Sequence, residues 1–189
     1  MQTGGTSPTP GRIGHWMLTF TGRAYFPCDP RPDEVDILDI AHGLSNLCRY
    51  TGQCLRFYSV AEHSILVSRM VPSELAMEAL LHDASEAYCA DLNRPLKVSL
   101  PDYNAAIKLN DIAVRTHFGL PLVETPAVKT ADTDVLISEY RQNMPAKQHD
   151  LPWIWGGTER PEVLLYCYPP LMAERVFLDR YHELGGRVR

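Results

Sequence analysis

The chain lacks several features that mark other classes of protein. Its five cysteines are odd in number and include no CxxC pair, so we expect no disulfide framework and a reducing, cytoplasmic location. No run approaches about 18 consecutive apolar residues, and the first residues lack the apolar centre of a secretory signal. A net charge of −5 argues against an extended nucleic-acid surface. We therefore expect neither a membrane nor a nucleic-acid partner.

The composition that is present is typical of a globular protein. With 189 residues, of which 45% are hydrophobic and 22% charged, the chain is long enough for one domain with a substantial core. Residues 1–14 are rich in Gly, Thr, Ser and Pro, which predicts a flexible N-terminal tail. The remaining residues, 15–189, are interpreted as a single domain.

Helical signals dominate this domain. A short hairpin is expected at His15–Tyr25, around Thr21-Gly22. Ser59 followed by Glu62 forms a capping-box pattern at the start of a helix. The fold class is therefore all-α, a helical bundle with a small N-terminal hairpin. Its helices are predicted from residue 32 or 33 to 48, and over 59–70, 74–94, 101–118, 126–143 and 169–184.

The most informative motif is the His82-Asp83 pair in LLHDASEAY. Apolar residues recur here at helical spacing, which predicts that His82, Asp83 and Glu86 project from the other side of an amphipathic helix. The apolar residues are Met77, Leu80, Leu81, Ala84 and Tyr88. An imidazole and a carboxylate could then hold one divalent cation, and Glu86 could orient a water molecule. The alternative is a solvated polar face without a ligand.

Two further residues could complete a metal site. His63 lies in SVAEHS and Asp132 in KTADTDVL, each on another predicted helix. Taken alone, each is more typical of a structural residue, and Asp134 competes with Asp132. Two imidazoles and two carboxylates suit Mn, Fe, Co, Ni or Zn better than Ca.

The ordered set H…HD…D resembles that of the HD-domain phosphohydrolases. The match includes SVAEHS, HDASEAYCADLNRPLK, KTADTDVL and the upstream DILDIAHGLSNLCRYTG, so it covers roughly residues 18–141. The chain is most similar to small bacterial 5′-deoxynucleotidases and to phage-type dATP triphosphohydrolases. The resemblance implies that residues 15–189 form a single HD-type domain. It also implies that the metal ligands are His63, His82, Asp83 and Asp132.

The resemblance also implies catalytic and phosphate-binding roles. Glu86 matches the glutamate that engages the attacking water, and Asp91 matches an acidic residue that assists proton transfer. Arg49 and Lys97 match residues that contact substrate phosphate. For Asp91, a cap or a salt bridge to Arg94 is an almost equal alternative.

Two residues are considered for substrate binding on their own chemistry. Tyr50 could stack on the sugar or crowd a ribose 2′-hydroxyl, although packing in the core is an equal alternative. Arg56 precedes the His63 helix and could bind a polyphosphate or face solvent.

The sequence therefore predicts a metal-dependent phosphohydrolase of deoxynucleotides. We expect a dNTP triphosphohydrolase, with dATP favoured by resemblance, that uses Co, Mn, Zn or Mg and forms a homo-oligomer. The first alternative is a 5′-deoxynucleotidase that converts a dNMP to a deoxynucleoside and phosphate. A phosphodiesterase or alarmone hydrolase ranks lower because no regulatory domain is evident. The alternative from another class is a non-catalytic nucleotide-binding protein.

Overall fold

Helices make up most of the structure, a computed structural model that describes residues 9–145 and 157–188. This confirms the all-α prediction. Within the described ranges, no helix is both long and apolar enough to cross a membrane. The α-helices are α1 (Ile37–Asn46), α2 (Val60–Arg69), α3 (Ala76–Leu80), α4 (Glu86–Cys89), α5 (Arg94–Val98), α6 (Pro101–Phe118), α7 (Pro126–Asn143) and α8 (Pro170–Glu183). Shorter 3₁₀ turns lie at Pro32–Glu34, Arg49–Gly52 and Ser73–Leu75.

The expected N-terminal hairpin is confirmed. Strand β1 (Met17–Leu18) pairs antiparallel with β2 (Ala24–Tyr25), with Met17 opposite Tyr25. The backbone N–H of Thr21 donates to Asp39 Oδ1 at 2.7 Å, which ties the hairpin to α1. Of the predicted tail 1–14, residues 1–8 lie outside the described residues. Arg12 already bonds to Asp29 at 2.7 Å and pairs with Glu34.

Local signals at the helix ends set the bounds of three helices as predicted. The Ser59 side chain accepts a hydrogen bond from the Glu62 N–H at 3.1 Å and caps α2. Pro101 occupies the first turn of α6, which ends before Gly119 in the left-handed conformation, with φ of 66°. Helix α7 covers Pro126–Asn143, in agreement with the prediction.

Two other helices differ from the prediction. The first begins at Ile37 rather than at residue 32 or 33, because the Asp36 side chain caps it by accepting from the Leu38 N–H at 3.0 Å. The helix expected through His82 is interrupted after Leu80 and resumes at Glu86. Between them, i to i−3 hydrogen bonds form tighter turns, such as Ala84 N–H to Leu81 O at 3.1 Å. His82 and Asp83 therefore lie in a turn rather than within a continuous helix.

Helix α2 is central to the bundle. All of its residues from Val60 to Ser68 are buried. One side, including Ile65, packs into an apolar cluster with residues of α1 and α8, among them Leu44 and Phe177. The other side, including Val67, packs against α7 through Val135. Burial of such side chains stabilises the fold by about 1.5–3 kcal/mol each, so the position of α2 is strongly determined.

Candidate metal centre

Four predicted ligands from three parts of the chain converge beside α2. His63 comes from α2, His82 and Asp83 from the turn after α3, and Asp132 from α7. His63 Nε2 lies 3.3 Å from His82 Nε2 and 3.2 Å from Asp132 Oδ1. Asp83 Oδ2 lies 3.2 Å from His82 Nε2 and 3.7 Å from His63 Nε2. His63, His82 and Asp132 thus form a group that could hold a metal ion.

Hydrogen bonds at the outer ring nitrogens orient both imidazoles. His63 Nδ1 lies 2.6 Å from Glu139 Oε1, and His82 Nδ1 lies 2.8 Å from the Ala79 carbonyl oxygen. Because these oxygens accept hydrogen bonds, each Nδ1 is assigned as the donor. In the neutral rings, both Nε2 lone pairs then face each other and the carboxylates. Such an arrangement of lone pairs and negative oxygens is stabilised by a cation between them.

The electrostatics of the group also favour positive charge. Burial lowers the pKa of His82, but the opposing effect of Asp83 and Asp132 is larger, and the pKa is raised to about 9. The neighbouring histidines hold the pKa of the Asp132 carboxyl below its ordinary value despite burial. The same nitrogens can therefore hold either protons or a cation. A divalent cation bound to these nitrogens would have to displace the protons.

The competing aspartate on α7 serves the structure instead. Asp134 is buried, and its Oδ1 accepts from the Thr158 N–H at 2.7 Å. Its Oδ2 pairs with Arg160 at 2.6 Å. These contacts fix the segment that follows residue 156. The structure therefore places Asp132, and not Asp134, at the group of histidines.

Glu139 is a buried residue of the centre that the sequence analysis missed. It is fully buried on α7 and accepts hydrogen bonds from His63, Arg49, Tyr50 and Tyr58. Burial raises the pKa of Glu139, but the opposing effect of the charges of Arg49 and His63 is larger, and the pKa is lowered to about 2. The available signal is its spacing: seven residues after Asp132 is about two helical turns, which places both on one face.

Glu86 and Asp91 lie together beside Lys97. Lys97 Nζ donates to Glu86 Oε1 at 2.8 Å and to Asp91 Oδ1 at 3.2 Å. Asn93 caps α5 by accepting from the Leu96 N–H at 3.1 Å, which helps to position Lys97. Glu86 is 5% exposed, and its buried Oε2 has no hydrogen-bond partner among the described residues. Burial, together with Asp83 and Asp91, raises the pKa of Glu86 well above its ordinary value.

Side chains of the proposed metal group and of the Glu86–Lys97 pair line a cleft of about 700 Å³. Its lining combines carboxylates of the centre with cationic side chains, a suitable environment for a metal-bound phosphate. Lys129 was missed by the sequence analysis, although it lies one helical turn before Asp132 and donates to its Oδ2 at 2.6 Å. The charged lining residues are Arg49, Arg94, Lys97, Lys129, Asp83, Glu86, Asp91 and Asp132.

Of the remaining residues predicted to bind substrate, two line the cleft and one does not. Arg49 and Tyr50 line the cleft and both bond to Glu139 Oε2, at 3.1 and 2.6 Å. Arg56 is exposed and is not part of the lining, and its backbone N–H donates to Asn143 Oδ1 at 3.0 Å. Arg94 also lines the cleft.

Comparison with known proteins identifies two full-length relatives. The chain is 46% identical over 172 residues to the uncharacterized protein YfdR of Escherichia coli K12, covering 90% of this chain and 96% of YfdR. It is 32% identical over 191 residues to the uncharacterized protein RCAP_rcc00048 of Rhodobacter capsulatus, covering 89% of this chain and 95% of that protein. No protein-family model matches the chain.

Proposed function

The chain belongs to the family of YfdR and RCAP_rcc00048, and within it we propose a divalent-metal-dependent phosphohydrolase of deoxynucleotides, of the HD-domain type. The observation that carries the proposal is the convergence of His63, His82, Asp83 and Asp132 at a cleft lined by cationic side chains. A buried metal group alone would fit many functions. Its combination with phosphate-binding cations and an unpaired carboxylate oxygen favours phosphoryl hydrolysis.

The four proposed ligands fit a transition metal better than a hard cation. Two imidazole nitrogens with two carboxylates suit Mn, Co or Zn, and Mg remains a candidate because its sites use carboxylates and phosphate oxygens. When bound, such an ion would polarise a phosphoryl oxygen and lower the pKa of a coordinated water. The ligand set comes from His63, His82, Asp83 and Asp132, with Glu139 and the Ala79 carbonyl orienting the two imidazoles.

Glu86 is the proposed base for the attacking water. In the part of the chain that the structure describes, its buried Oε2 has no hydrogen-bond partner, so it is available to accept a proton from a water placed in the cleft. The raised pKa of Glu86 brings its proton affinity closer to that needed for this transfer. Lys97 holds the other oxygen, Oε1, and so fixes the direction in which Oε2 points.

The cationic lining would bind the phosphate. Arg49 can offer a planar fork to phosphoryl oxygens, and Lys97 and Lys129 act as point charges. Asp91, held by Lys97, is the proposed donor of a proton to the departing oxygen. Attack of water on the α-phosphorus of a dNTP would break its bond to the 5′-oxygen and release a deoxynucleoside and triphosphate.

A triphosphate is the favoured substrate because four cationic residues line the cleft: Arg49, Arg94, Lys97 and Lys129. The preference for dATP derives only from the resemblance. The 5′-deoxynucleotidase alternative uses the same residues with a dNMP. A non-catalytic nucleotide-binding protein would need the ligands but not the unpaired Glu86 oxygen. We also propose a cytoplasmic homo-oligomer, which light scattering on the purified protein would test.

The proposal is tested by incubating the protein with Mn, Co, Mg or Zn and every dNTP, dNMP and ribonucleotide counterpart. Chromatography of the products separates the candidates. A deoxynucleoside with intact triphosphate identifies a triphosphohydrolase, whereas phosphate from a dNMP alone identifies a 5′-deoxynucleotidase. Hydrolysis of none of these nucleotides with any metal would refute the proposed deoxynucleotide phosphohydrolase and leave a different substrate or binding alone.

Variants connect the activity to the centre. We expect Asp132→Asn to lose metal and activity together, since it removes a carboxylate next to both histidines. Asp134→Asn is a matched control two residues away, because Asp134 bonds to Arg160 and Thr158 and not to the centre. Metal content measured by atomic emission must fall in the first variant and persist in the second.

A further inference from the structure

Glu139 divides its hydrogen bonds between two parts of the site. Its Oε1 accepts from His63 Nδ1 at 2.6 Å and from the Tyr58 hydroxyl at 2.7 Å. Its Oε2 accepts from Arg49 Nε at 3.1 Å and from the Tyr50 hydroxyl at 2.6 Å. One oxygen thus faces the metal ligand, and the other faces the turn that lines the cleft. Four donors match the roughly four acceptor positions of a carboxylate.

The turn that Oε2 holds is unfavourable by itself. Tyr50 and Thr51 have φ of 56° and 55°, a left-handed conformation that residues other than glycine rarely adopt. Such a backbone persists only where its surroundings determine it. The surroundings here are the Tyr50 bond to Glu139 and the hydrogen bond from the Arg49 N–H to the Tyr58 carbonyl at 2.9 Å.

Both parts of the site depend on one orientation of the Glu139 carboxylate. A cation on His63 Nε2 would make its Nδ1–H a stronger donor to Oε1 and so restrict that carboxylate. A phosphate on Arg49 would fix the guanidinium whose Nε bonds to Oε2. Because both ligands favour the same orientation of the carboxylate, binding of one stabilises the arrangement that the other needs.

We propose that Glu139 is a positioning residue that couples metal binding at His63 to the placement of the Arg49–Tyr50 turn, so that cation and phosphate strengthen each other's binding. This inference rests on the proposed metal site and deepens it. Reciprocity requires that each ligand tighten the other by the same factor.

The first test measures Mn²⁺ affinity by calorimetry, without any nucleotide. We expect Glu139→Gln to weaken Mn²⁺ binding about 10- to 100-fold, the usual effect of removing the partner of a ligating histidine. The decisive variant is Tyr50→Phe, because the hydroxyl that it removes bonds to Glu139 rather than to a proposed metal ligand. Loss of its bond to Oε2 should weaken Mn²⁺ binding about two- to tenfold.

Tyr25→Phe is the matched control. Tyr25 is fully buried, whereas Tyr50 is partly buried, and the Tyr25 hydroxyl also donates at 2.6 Å, but to Asn110 on α6. It should leave Mn²⁺ affinity within about twofold of wild type, because any loss of global stability does not act on His63. Equal weakening by Tyr50→Phe and Tyr25→Phe would show a general structural effect and overturn the coupling.

The second test measures Mn²⁺ affinity with and without inorganic phosphate. We expect phosphate to tighten Mn²⁺ binding in the wild type, and this effect to shrink in Tyr50→Phe. Mn²⁺ binding that ignores both phosphate and Tyr50→Phe would overturn the coupling while leaving the metal site intact. No Mn²⁺ binding by the wild type would instead overturn the proposed metal site, and the coupling with it.

Discussion

Two buried glutamates eight residues apart, Glu78 and Glu86, have opposite surroundings. Glu78 is 3% exposed and Glu86 is 5% exposed, so burial does not distinguish them. Glu78 Oε1 accepts from the Thr125 N–H at 2.8 Å and from Arg115 at 3.2 Å, and Oε2 accepts from the Thr125 hydroxyl at 2.6 Å. Lys97 donates a hydrogen bond to Glu86 Oε1, whereas Oε2 has no hydrogen-bond partner among the described residues.

The pKa values follow these surroundings. Burial raises the pKa of Glu78, but Thr125 and Arg115 lower it below its ordinary value. For Glu86, burial and the nearby Asp83 and Asp91 raise the pKa, and Lys97 does not compensate. The comparison teaches that a satisfied buried carboxylate joins structural elements, here α3 with α6. An unsatisfied one beside a cleft marks a place where chemistry can occur.

The largest expected effect is on activity, at Glu86. Glu86→Gln should lower kcat by about 10²- to 10⁴-fold, because the amide cannot accept a proton from the attacking water. The unfolding free energy should be unchanged or higher, since the variant removes a buried charge near two other carboxylates. Steady-state kinetics and urea denaturation would be measured on the same preparation. An active Glu86→Gln variant would contradict the assignment of Glu86 as base.

Glu78→Ala should have the converse effect. It leaves Asp111 as the carboxylate partner of the buried Arg115 and removes the acceptor of the Thr125 N–H and hydroxyl, which should cost about 1–3 kcal/mol of unfolding free energy. Urea denaturation measures this loss. The fraction that remains folded at low temperature should retain Mn²⁺ affinity. If that affinity fell as steeply as in Asp132→Asn, the division between structural and functional glutamates would be wrong.

The pH dependence of stability sharpens the comparison further. The pKa of Glu78 is lower in the folded chain than its ordinary value of 4.5, so the unfolded chain binds more protons near that pH. Its contribution is fully present above pH 4.5 and is lost as the pH falls through the folded value. The difference in unfolding free energy between wild type and Glu78→Gln should therefore shrink below pH 4.5. A difference that stays constant in this range would exclude the ionised Glu78 as its source.

A smaller effect is expected at Lys97. Lys97→Met should raise KM for a dNTP about tenfold by removing one phosphate-binding charge, a loss of about 1.4 kcal/mol. It should also shift the pH profile of kcat, because Glu86 loses the cationic side chain that donates a hydrogen bond to it. Lys108→Met is a suitable control, since Lys108 is exposed on α6 and does not line the cleft. Matching kinetics for the two variants would remove Lys97 from the proposed site.

Local signals in the sequence allowed much of the fold to be predicted, whereas the set of four proposed ligands followed from the resemblance. Caps such as Ser59 and Gly119 act within one helical turn, and their sequence signals are correspondingly clear. The spacing of His82 and Asp83 identified a polar site but not the tight turn that presents it. That turn depends on hydrogen bonds that differ from those of a regular helix by one residue.

The missed residues lie across helix interfaces. Glu139 is recognisable only once α7 packs against α2, because its partners lie 76 to 90 positions earlier in the chain. Lys129 lines the cleft because of how α7 packs against the other elements, and spacing along the sequence does not show that packing. Arg56 carried a suitable charge at a suitable position in the sequence, but its exposed side chain lies outside the cleft lining.

Glu62, the residue before His63, links the centre to the end of the chain. Its carboxylate accepts hydrogen bonds from the backbone N–H groups of Tyr166, Cys167 and Tyr168, at 2.7 to 2.9 Å. Without that segment, a buried carboxylate next to His63 would lose these donors, and α2 would lose its packing against α8. A premature stop codon after residue 161 would therefore be a null allele, even though the ribosome had already made every proposed metal ligand.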